Sequence, residues 1–478
     1  MNDITLINIS IGQNFEEKVV YKHNAVGILY VVAALEQAGF KVDIREHFLN
    51  YRLSFDDEVN RLLSSVDNGS DFIGIGCHSV HLPFVVMASQ EIKKRFPDKK
   101  VILGGVGPSA VAGELLKKFA FIDAVVIGEA EETVVEVFKK GTKNFSEIDG
   151  IAYRDKDKVY VNKPRQPIID LDKLPFPAYQ VLDFKQYQIL VVITSRGCPY
   201  GCPFCSLSAL WGRKVRYRSI DNVMEELRLL VNKYGVKHIF IGDSTFVVDR
   251  KRTAKLCHRL KNEDLDFKWE CLVRLDSMDE QLMQLMQESG CEGVFYGLES
   301  GSDRVLKKIK QTVTVDKSLE VIKSSLKYFK TVQVGLMWGF PFETLDDFKQ
   351  TLEMRRYLEE DLKCEVQLRW LEPYRFTTLY QEYKNQLFFP DKLSMMYTPG
   401  EVQVKVALGR DYYLEDGHKK YGVPTDVTSI RFIIAASHTA AMCREVIEQN
   451  PHIFCDYYRY RTPHLEEKLQ LAKQHSLY

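Results

Sequence analysis

Three cysteines near the middle of the chain have a type and spacing that could do redox chemistry. Cys198, Cys202 and Cys205 lie in the stretch CPYGCPFC, which follows an apolar run at 189–193. A four-iron cluster held entirely by protein takes four cysteine thiolates. Three thiolates leave one iron open to a small molecule, so the spacing predicts a reactive cluster and not only a store for electrons.

Two simpler interpretations of these cysteines stay open on the residues alone. A structural zinc site would need a fourth cysteine or histidine at close spacing, and three unconnected buried thiols would need no ligand. The other seven cysteines form no close pair and indicate neither a second cluster nor a disulfide scaffold; they are Cys77, Cys257, Cys271, Cys291, Cys364, Cys443 and Cys455. Scattered cysteines are typical of a reducing compartment, so we expect a cytoplasmic protein.

The cysteine stretch needs an element that places it, and the apolar run before it predicts a buried parallel strand. Loops at the carboxyl ends of such strands are where α/β folds build their sites. Five later strands are predicted, and they alternate with helical patterns. The six predicted strands are 189–193, 237–241, 267–272, 293–298, 331–337 and 365–371. Right-handed crossovers between them predict a partial (β/α)6 barrel of the TIM type with an open mouth.

A second alternation of strands and helices fills the N-terminal part of the chain. Its predicted strands are 4–9, 41–44, 72–76, 100–103 and 124–127, with helices near 27–39, 83–96, 110–119 and 131–139. This order predicts an α/β fold with a doubly wound, Rossmann-like parallel sheet. Glycine-rich loops at its strand ends would permit a large or phosphorylated ligand to approach the backbone. Helix starts alone would explain some of these glycines equally well.

Composition divides the chain into four predicted segments. Residues 1–145 hold the Rossmann-like sheet, and 146–188 form a linker with a small hairpin of 151–154 and 159–162. Residues 189–373 hold the barrel. Residues 374–478 are dense in Tyr, Phe and His and lack the strand–helix alternation, which predicts a mainly helical C-terminal cap beside the substrate.

Charge and hydropathy argue against several classes of partner. The 478 residues carry 65 Lys and Arg against 65 Asp and Glu, a formal net charge of zero. No overall basic field favours nucleic acid or an anionic membrane, so neither is expected as a partner. We also expect no secretory signal and no membrane-spanning segment. A local basic run at 213–218 is compatible both with a solvated helix entry and with a clamp for phosphate or carboxylate.

The cysteine stretch resembles the signature of the radical S-adenosylmethionine (SAM) superfamily, CxxxCxxC with an aromatic residue before the last cysteine, here Phe204. We expect the ring of Phe204 to lie beside the cofactor. The resemblance implies a 4Fe–4S cluster held by the three cysteines and SAM bound at the open iron. It also implies cleavage of SAM to a 5′-deoxyadenosyl radical by an electron from the cluster, and hence an electron donor such as flavodoxin or ferredoxin.

Polar residues at the predicted strand ends resemble family positions that contact SAM. By this resemblance Asp243, after strand two, would accept a hydrogen bond from the methionine amino group. Arg274, after strand three, would pair with the methionine carboxylate or with substrate. Glu299, in the stretch GLESGS that is similar to the family's GxESG, would meet SAM. Acidic residues at such places can also act only as helix caps or first-turn charges.

A stretch at 335–344 resembles the family's GxPGET, with Phe342 in place of the second glycine. Thr344 begins a predicted helix, and Asp347 stands three residues later. This spacing is that of a capping box, so for Thr344 with Asp347 we expect a capping role.

The N-terminal segment resembles the cobalamin-binding domain that precedes many radical SAM enzymes. The family's GGxxP and GEGE stretches correspond here to Gly104, Gly105 and Pro108, with one extra residue before the proline, and to Gly128 and Glu129, with Ala in the third position. Ser79, after strand three, is a further expected cofactor contact. The resemblance therefore implies that these residues bind cobalamin.

A histidine ligand to that cobalamin is not expected. The string DxHxxG, which marks the cobalt-ligating histidine in other cobalamin proteins, does not occur. His78 and His81 follow strand three without the Asp and Gly partners, and we interpret them as non-ligating.

Together the two resemblances imply a cobalamin-dependent radical SAM enzyme that methylates an unactivated carbon on a small molecule, a lipid precursor or a peptide. Rival reactions on the same domains are radical cyclisation or rearrangement, with or without cobalamin. A tRNA methylthiotransferase is disfavoured because no second three-cysteine cluster precedes the barrel. A non-catalytic cofactor-binding sensor is a less favoured alternative. The residues name no general base, so no catalytic side chain is predicted.

Overall fold

The computed structural model describes residues 2–11, 14–15, 18–19, 22–23, 25–49, 53–184, 187–310, 312–389, 403–406, 412–416, 419–423 and 443–474. The chain forms two compact units. The first comprises Met1–Asp183 with Arg431–Tyr457, and the second comprises Phe184–Ile430 with Tyr458–Tyr478. The segment after residue 430 thus contributes to both units.

A seven-stranded sheet forms the centre of the first unit. Its strands are β1 (Ile4–Ile11), β2 (Val42–Leu49), β3 (Phe72–Gly76), β4 (Lys100–Gly104), β5 (Ala124–Val126), β6 (Ile151–Asp155) and β7 (Lys158–Val161). Its helices are α1 (Val26–Gln37), α2 (Phe55–Asp67), α3 (Leu82–Arg95), α4 (Val106–Lys118) and α5 (Glu131–Lys140). The order is β2-β1-β3-β4-β5-β6-β7, and the first five strands pair in parallel. The predicted Rossmann-like sheet is confirmed.

Apolar residues on both faces of β1 explain why helices cover both sides of the sheet. Ile4 and Leu6 point to one face and Ile7 and Ile9 to the other, and all four are buried. A parallel strand buried on both faces has a near-continuous apolar sequence, unlike the alternation of a half-exposed strand. The carboxyl ends of the five parallel strands therefore share one edge, where the glycine-rich loops lie.

The predicted hairpin at 151–154 and 159–162 forms as β6 and β7, but it is not a sheet of its own. β6 pairs antiparallel with β5 and so extends the main sheet. Helix α2 was not predicted, although its signals are present. Ser54 accepts a hydrogen bond from the amide of Asp57 at the helix start, and the helix buries one apolar face that includes Val59 and Leu62.

The second unit is a partial barrel. Its strands are β8 (Tyr187–Val192), β9 (His238–Ile241), β10 (Lys268–Val273), β11 (Cys291–Glu299), β12 (Thr331–Trp338) and β13 (Glu365–Trp370). They are neighbours in chain order, and every pair is parallel. The helices are α6 (Ser206–Trp211), α7 (Ile220–Arg228), α8 (Arg250–Lys261), α9 (Glu280–Glu288), α10 (Asp303–Ile309), α11 (Val315–Ser325) and α12 (Leu345–Arg356). The predicted (β/α)6 arrangement is confirmed; α6 and α10 are additions to it.

Burial alternates along the barrel strands because helices cover only their outer face. In β10 the side chains of Trp269, Cys271 and Val273 are buried, whereas Glu270 and Leu272 between them are half-buried. The inner face of the curved sheet is thus only partly filled. Register is continuous from β12 to β13, where Gln333 lies opposite Glu365.

The described residues after the barrel form short elements. They include α13 (Thr378–Tyr383), α14 (Leu465–Gln474), a helix at Arg444–Gln449 and a three-stranded antiparallel sheet of Gln403–Val406, Tyr412–Asp416 and Lys419–Val423. Helix α14 packs on the barrel, with Ala472 in an apolar cluster that contains Trp338 and Trp370. None of the helices in the described ranges is long and apolar enough to cross a bilayer.

Candidate cofactor sites

The cysteine loop is pinned at both ends. After β8, Ser195–Arg196 pairs antiparallel with Arg216–Tyr217, which closes the base of the loop. The amide of Cys198 donates to the carbonyl of Gly212 at 3.3 Å. Cys205 is the N-cap residue of α6. The loop therefore leaves the carboxyl end of the first barrel strand, where the sequence predicted it.

Gly197 is required at the start of this loop. Its φ is +101°, in the left-handed region that favours glycine, and a Cβ there would lie 2.5 Å from the carbonyl oxygen of Lys214. The chain can turn into the cysteine stretch at this point only because no side chain is present.

The three thiols lie close enough to influence one another. All three are half-buried, and none forms a disulfide. Burial, the largest effect, raises the pKa of Cys202, while nearby Lys310 and Arg274 oppose the rise. Burial also raises the pKa of Cys205, opposed by the backbone amides of Leu207 and Ser208. A bound metal cluster would remove this penalty, because metals take cysteines as thiolates.

The number of thiols agrees with the cluster that the sequence predicts. A four-iron cluster takes one cysteine for each iron, so three cysteines would hold three irons. Structural zinc takes four donors on one point. Within the residues that the structure describes, no three His, Cys, Asp or Glu side chains converge on one ion position, so the assignment of these cysteines to a cluster rests on their spacing.

Phe204 packs its ring against the loop that follows β12. Its ring meets Phe340 edge-on at a centroid distance of 6.0 Å, and Phe340 in turn stacks on Phe342 at 5.7 Å. The amide of Leu379, in α13, donates to the carbonyl of Pro203 at 2.9 Å. The aromatic residue of the signature thus anchors the cysteine loop to neighbouring barrel loops, and its contact with a cofactor stays a prediction.

Asp243 holds the stem of the cysteine loop. It is fully buried, and its Oδ1 accepts hydrogen bonds from the amides of Thr194 and Ser195 at 2.6 and 3.1 Å. Its Oδ2 accepts from both side-chain hydroxyls at 2.6 Å. A carboxylate has about four acceptor positions, so all are in use. The predicted contact with the methionine amino group would require Asp243 to give up one of these bonds.

Two arginines, buried Arg218 and half-buried Arg252, complete the support of this stem. Arg218 donates to the carbonyl of Ile193 at 2.8 Å and forms an ion pair with buried Glu226. Arg252 donates to the carbonyls of Thr194 and Arg218 at 3.3 and 3.1 Å. For Arg218 neither interpretation of the basic run is correct: the side chain is not solvated, and Glu226 already compensates its charge. Sequence reasoning missed Glu226, because Arg218 lies before the start of α7 and helical spacing does not predict its partner within that helix.

Arg274 contacts the cysteine loop directly. Its Nη1 lies 3.9 Å from Sγ of Cys202, and its guanidinium stacks on Tyr200 at 3.7 Å from the ring centre. Nε and Nη2 donate to the two carboxylate oxygens of Asp276 at 2.9 and 2.6 Å, and Nη2 also reaches Thr312 at 3.3 Å. The side chain predicted to meet SAM therefore sits on a predicted cluster ligand.

Glu299 occupies an unusual backbone position. Its φ is +75°, which is uncommon for any residue other than glycine, and the pairing of β11 with β12 shifts register between Gly297 and Glu299. Bulges next to active sites re-aim side chains, and strained backbone clusters there. Oε1 of Glu299 lies 2.9 Å from Nζ of Lys310, and both residues are close enough to Cys202 to affect its charge.

The loop after β12 is bound on two sides. Thr344 and Asp347 form the predicted capping box, which is confirmed. Burial alone would raise the pKa of Asp347. Hydrogen bonds from Arg304, Ser302 and Thr344 nevertheless hold this pKa well below its usual value. Asp347 thereby joins this loop to the loop after β11 as well as capping α12.

Glu343, next in the same loop, forms a fully buried ion pair with Lys468 of α14 at 3.1 Å. Lys468 also donates to the carbonyl of Glu343 at 2.7 Å, and Oε2 of Glu343 accepts from the amide of Gly339 at 2.8 Å. Sequence reasoning missed Lys468, because nothing near it in the chain indicates a buried partner 125 residues away.

The glycines at the glycine-rich edge of the first unit are of two kinds: some are required for packing, and others have open space beside the backbone. Gly105 has φ +102°, and a Cβ there would lie 2.6 Å from the carbonyl oxygen of Cys77, so it is required for packing of the loops. Above Gly104 a Cβ would meet nothing closer than 4.0 Å, and above Gly128 nothing within 4 Å. The open positions are consistent with a ligand that approaches the backbone of this edge.

Ser109 joins these two loops, and it was not among the predicted contacts. Its Oγ donates to the carbonyl of Gly105 at 2.7 Å and accepts from the amide of Gly128 at 3.2 Å. Pro108 is buried in the first turn of α4, the helix-start role that was left open. The serine therefore fixes the spacing between the two glycine loops.

Glu129 and Ser79 have structural contacts at the same edge. Oε2 of Glu129 accepts from the amide of Ile168 at 2.7 Å, which ties the edge to the segment after β7. Ser79 begins a short turn at Ser79–His81, and its backbone would lie 2.7 Å from a Cβ on Gly107. Contacts of either residue with a cofactor stay predictions.

Of the two histidines of this edge, His81 is packed inside the unit, whereas His78 is exposed. Burial, together with the nearby His78, lowers the pKa of His81 to about 3. Both ring nitrogens of His81 are buried. A ring that faced an open ligand site would expose a nitrogen, so the geometry supports the interpretation that His81 is non-ligating.

Comparison with known proteins matches both units. The model of the radical SAM superfamily matches residues 192–355, and the model of the B12 binding domain matches residues 17–138. An uncharacterised methyltransferase of Pyrococcus horikoshii is 31% identical over 337 residues, which cover 69% of this chain and 72% of that protein. The cytidylyl-2-hydroxyethylphosphonate methyltransferase of Streptomyces wedmorensis is 28% identical over 380 residues, or 66% of this chain and 69% of that protein.

A solved structure has the same fold. The cobalamin-dependent SAM radical enzyme OxsB with aqua-cobalamin bound superposes with a TM-score of 0.65 at 17% sequence identity. The match covers 80% of this chain and 61% of the OxsB chain. At this identity the likeness concerns the fold alone.

Proposed function

The chain belongs to the cobalamin-binding members of the radical SAM superfamily, and from this we propose that it methylates an unactivated carbon of a small molecule, a lipid precursor or a peptide. The cofactors of this family are a 4Fe–4S cluster, SAM and cobalamin, as the sequence predicted. The methyltransferase-like character of the chain rests on its relatives. The proposal adds that the atom which accepts the methyl group is a carbon.

One observation carries the proposal: the same chain holds a three-thiol loop at the carboxyl end of β8 and an open glycine edge at the ends of β4 and β5. When bound, the cluster and SAM supply one-electron chemistry and cobalamin supplies a methyl carrier. Cys198, Cys202 and Cys205 would hold the cluster. The edge at Gly104 and Gly128 would receive the cobalamin.

The remaining residues position these groups. Asp243 keeps the stem of the cysteine loop in place through its four hydrogen bonds. Oε1 of Glu299 is bound to Lys310, so Oε2 would meet the amino group of SAM. Phe204 packs the loop against the barrel mouth. None of these roles needs a general base.

The overall reaction balances with two molecules of SAM. One gives its methyl group and leaves as S-adenosylhomocysteine. The other takes the hydrogen of the substrate carbon and leaves as 5′-deoxyadenosine and methionine. The substrate exchanges C–H for C–CH3, and a low-potential donor, for which flavodoxin or ferredoxin is suitable, supplies two electrons per turnover.

A small-molecule acceptor is favoured over a macromolecule by two observations. The formal net charge of zero gives no field for nucleic acid. A relative is named for a cytidylyl phosphonate, which is a small molecule.

The proposal can be tested before the substrate is identified. The protein is purified without oxygen, reconstituted with iron, sulfide and hydroxocobalamin, and incubated with SAM and titanium(III) citrate. We expect a cobalamin absorbance spectrum, S-adenosylhomocysteine from methylation of cobalamin, and 5′-deoxyadenosine from cleavage of SAM. A variant with Ala at all three cysteines is the matched control: it should keep the cobalamin absorbance spectrum and lose 5′-deoxyadenosine.

Each failure points to a different alternative. A protein that takes up no cobalamin is a cobalamin-free radical enzyme. Bound cobalamin with 5′-deoxyadenosine but no S-adenosylhomocysteine would replace methylation by cyclisation or rearrangement. Bound cofactors with neither product would indicate a sensor.

A further inference from the structure

We propose that Arg274 is a positioning residue that sets the reduction potential of the cluster through the thiolate of Cys202, and that it does not bind the carboxylate of SAM. The inference rests on the part of the proposed function that places the cluster on the three cysteines. It does not depend on methylation being the reaction.

The contact with the cluster ligand is direct. Nη1 of Arg274 lies 3.9 Å from Sγ of Cys202, a distance at which an N–H group donates to sulfur. The guanidinium also lies over the ring of Tyr200, two residues before Cys202, at 3.7 Å from the ring centre. Arg274 is therefore held against the cysteine loop by two contacts of different kinds.

A second group of residues holds Arg274 from the opposite side. Asp276 accepts two hydrogen bonds from it in the paired geometry typical of arginine with a carboxylate. Thr312 accepts a further bond from Nη2 at 3.3 Å and donates to the same carboxylate. Arg274 is 8% exposed, so it is shielded from solvent. The guanidinium has little freedom to swing away.

These contacts leave too few donors for the predicted role. A guanidinium has five N–H groups, and four are directed at Asp276, Thr312 and Cys202. Paired recognition of a second carboxylate needs two adjacent free donors. Only one N–H, on Nη1, remains. SAM or a substrate carboxylate would have to displace Asp276 or Cys202.

An N–H donor and a positive charge beside a cluster thiolate have a definite effect. Reduction adds an electron to the cluster, and the added negative charge is stabilised by a nearby cation and by hydrogen bonds to the sulfurs. Arg274 therefore favours the reduced cluster. Lys310 places a second positive charge near the same thiol, but its ion-pair partner Glu299 opposes that charge.

The test is a redox titration of the cobalamin-loaded protein, monitored by the electron paramagnetic resonance signal of the reduced cluster. At the potential where the unchanged protein is half reduced, Arg274→Gln should lower the ratio of reduced to oxidised cluster about tenfold, which is about 59 mV for one electron. Arg213→Gln is the matched control. Arg213 is exposed and donates to the carbonyl of Pro199 in the same loop, at 3.1 Å, but to no thiol. The reduction potential of the cluster should not change in this control variant.

Two further measurements protect the test. Iron and sulfide content shows separately whether the cluster has assembled. A failure of cluster assembly can therefore be distinguished from a failure of methylation. If Arg274→Gln does not retain the cluster, Arg274→Lys carries the test: it keeps the charge but loses the planar fork, and the ratio should fall by about threefold. The proposal is overturned if both variants assemble the cluster at an unchanged potential, and equally if the affinity for SAM falls while the potential stays constant.

Discussion

At the scale of single residues, the two acidic side chains predicted to meet SAM have different environments. Asp243 is fully buried and uses all its acceptor positions on the cysteine loop. Glu299 has one oxygen on Lys310 and a left-handed backbone. We infer that Asp243 supports the loop and that Glu299 is the acid available to a ligand.

Replacement of Asp243 should therefore weaken the cysteine loop. Burial raises the pKa of this carboxyl, yet four hydrogen bonds favour its ionised form. In Asp243→Ala two amides and two hydroxyls lose their acceptor, at a cost of roughly 3 kcal/mol. We expect a lower melting temperature and loss of iron during desalting. Asp266→Asn is the control: Asp266 is exposed and pairs with exposed Lys237, so iron retention should not change. Full iron retention in Asp243→Ala would contradict the supporting role.

Replacement of Glu299 should affect SAM and leave the cluster intact. In Glu299→Gln the side chain keeps its size but loses the charge that attracts an amino group, so affinity for SAM should fall by about tenfold, or about 1.4 kcal/mol. Calorimetric titration with SAM measures this change. Glu292→Gln, in the same strand, should bind SAM as the unchanged protein does. Equal affinities for all three proteins would exclude Glu299 from the site.

Among elements, helix α14 is held on the barrel by a buried ion pair as well as by its apolar packing. Lys468 and Glu343 are each 0% exposed, and burial raises the pKa of Glu343 to about 6 despite the nearby lysine. Removal of one partner from such a pair leaves an uncompensated buried charge. The pair therefore joins residues 125 positions apart in the chain, and the barrel depends on its C-terminal helix.

The pH dependence of this pair has a definite sign. The pKa of Glu343 is about 6 in the folded chain and near 4.5 when exposed. Glu343 therefore holds its proton more tightly in the folded state than in the unfolded state. Its contribution to the free energy of unfolding, about 2 kcal/mol, is fully present below pH 4.5 and is lost as pH rises through 6. Stability of the unchanged protein relative to Glu343→Gln, measured by urea unfolding, should fall over that interval. A constant difference would contradict the raised pKa.

The same pair can be tested by a double variant. Lys468→Met leaves Glu343 buried without its partner, which should destabilise the barrel by about 3–5 kcal/mol. Adding Glu343→Gln removes the unpaired charge and should restore most of that loss. Urea unfolding of the two single variants and the double variant gives the coupling. Additive effects would show that the pair contributes no interaction of its own.

At the scale of the whole molecule, each unit carries its own candidate cofactor site. The thiol loop lies within the second unit, and the glycine edge lies within the first. Independent hydrophobic cores support the two sites. We therefore expect the chain to load its two cofactors independently.

Two variants test independent loading. Gly104→Leu places a side chain in the open space above β4, where the atom nearest to the new Cβ, Cβ of Val126, is 4.0 Å away. Cobalamin uptake should fall at least about tenfold, while iron content and melting temperature stay unchanged. The variant with Ala at the three cysteines should lose iron in the iron assay and keep its cobalamin uptake in the absorbance assay. Loss of both cofactors in either variant would contradict independent loading.

Local patterns in the sequence were enough to predict the cofactor class and the class of fold. The spacing of Cys198, Cys202 and Cys205 is local, so a stretch of eight residues suffices to indicate a cluster with one open iron. Apolar periodicity is also local, and it placed the strands of both sheets to within a few residues. Thr344 and Asp347 were correctly predicted because a capping box forms within one helical turn.

The contacts of each charged residue became visible only in the folded chain. Asp243, Arg274 and Glu299 stand at the ends of three successive strands and looked equivalent in the sequence. Their partners, Thr194, Cys202 and Lys310, come from other parts of the chain and are brought together by the parallel pairing of the barrel. Lys468 could not be assigned to Glu343 for the same reason. A buried charge is defined by neighbours distant in sequence, and no local pattern records which neighbours the fold will supply.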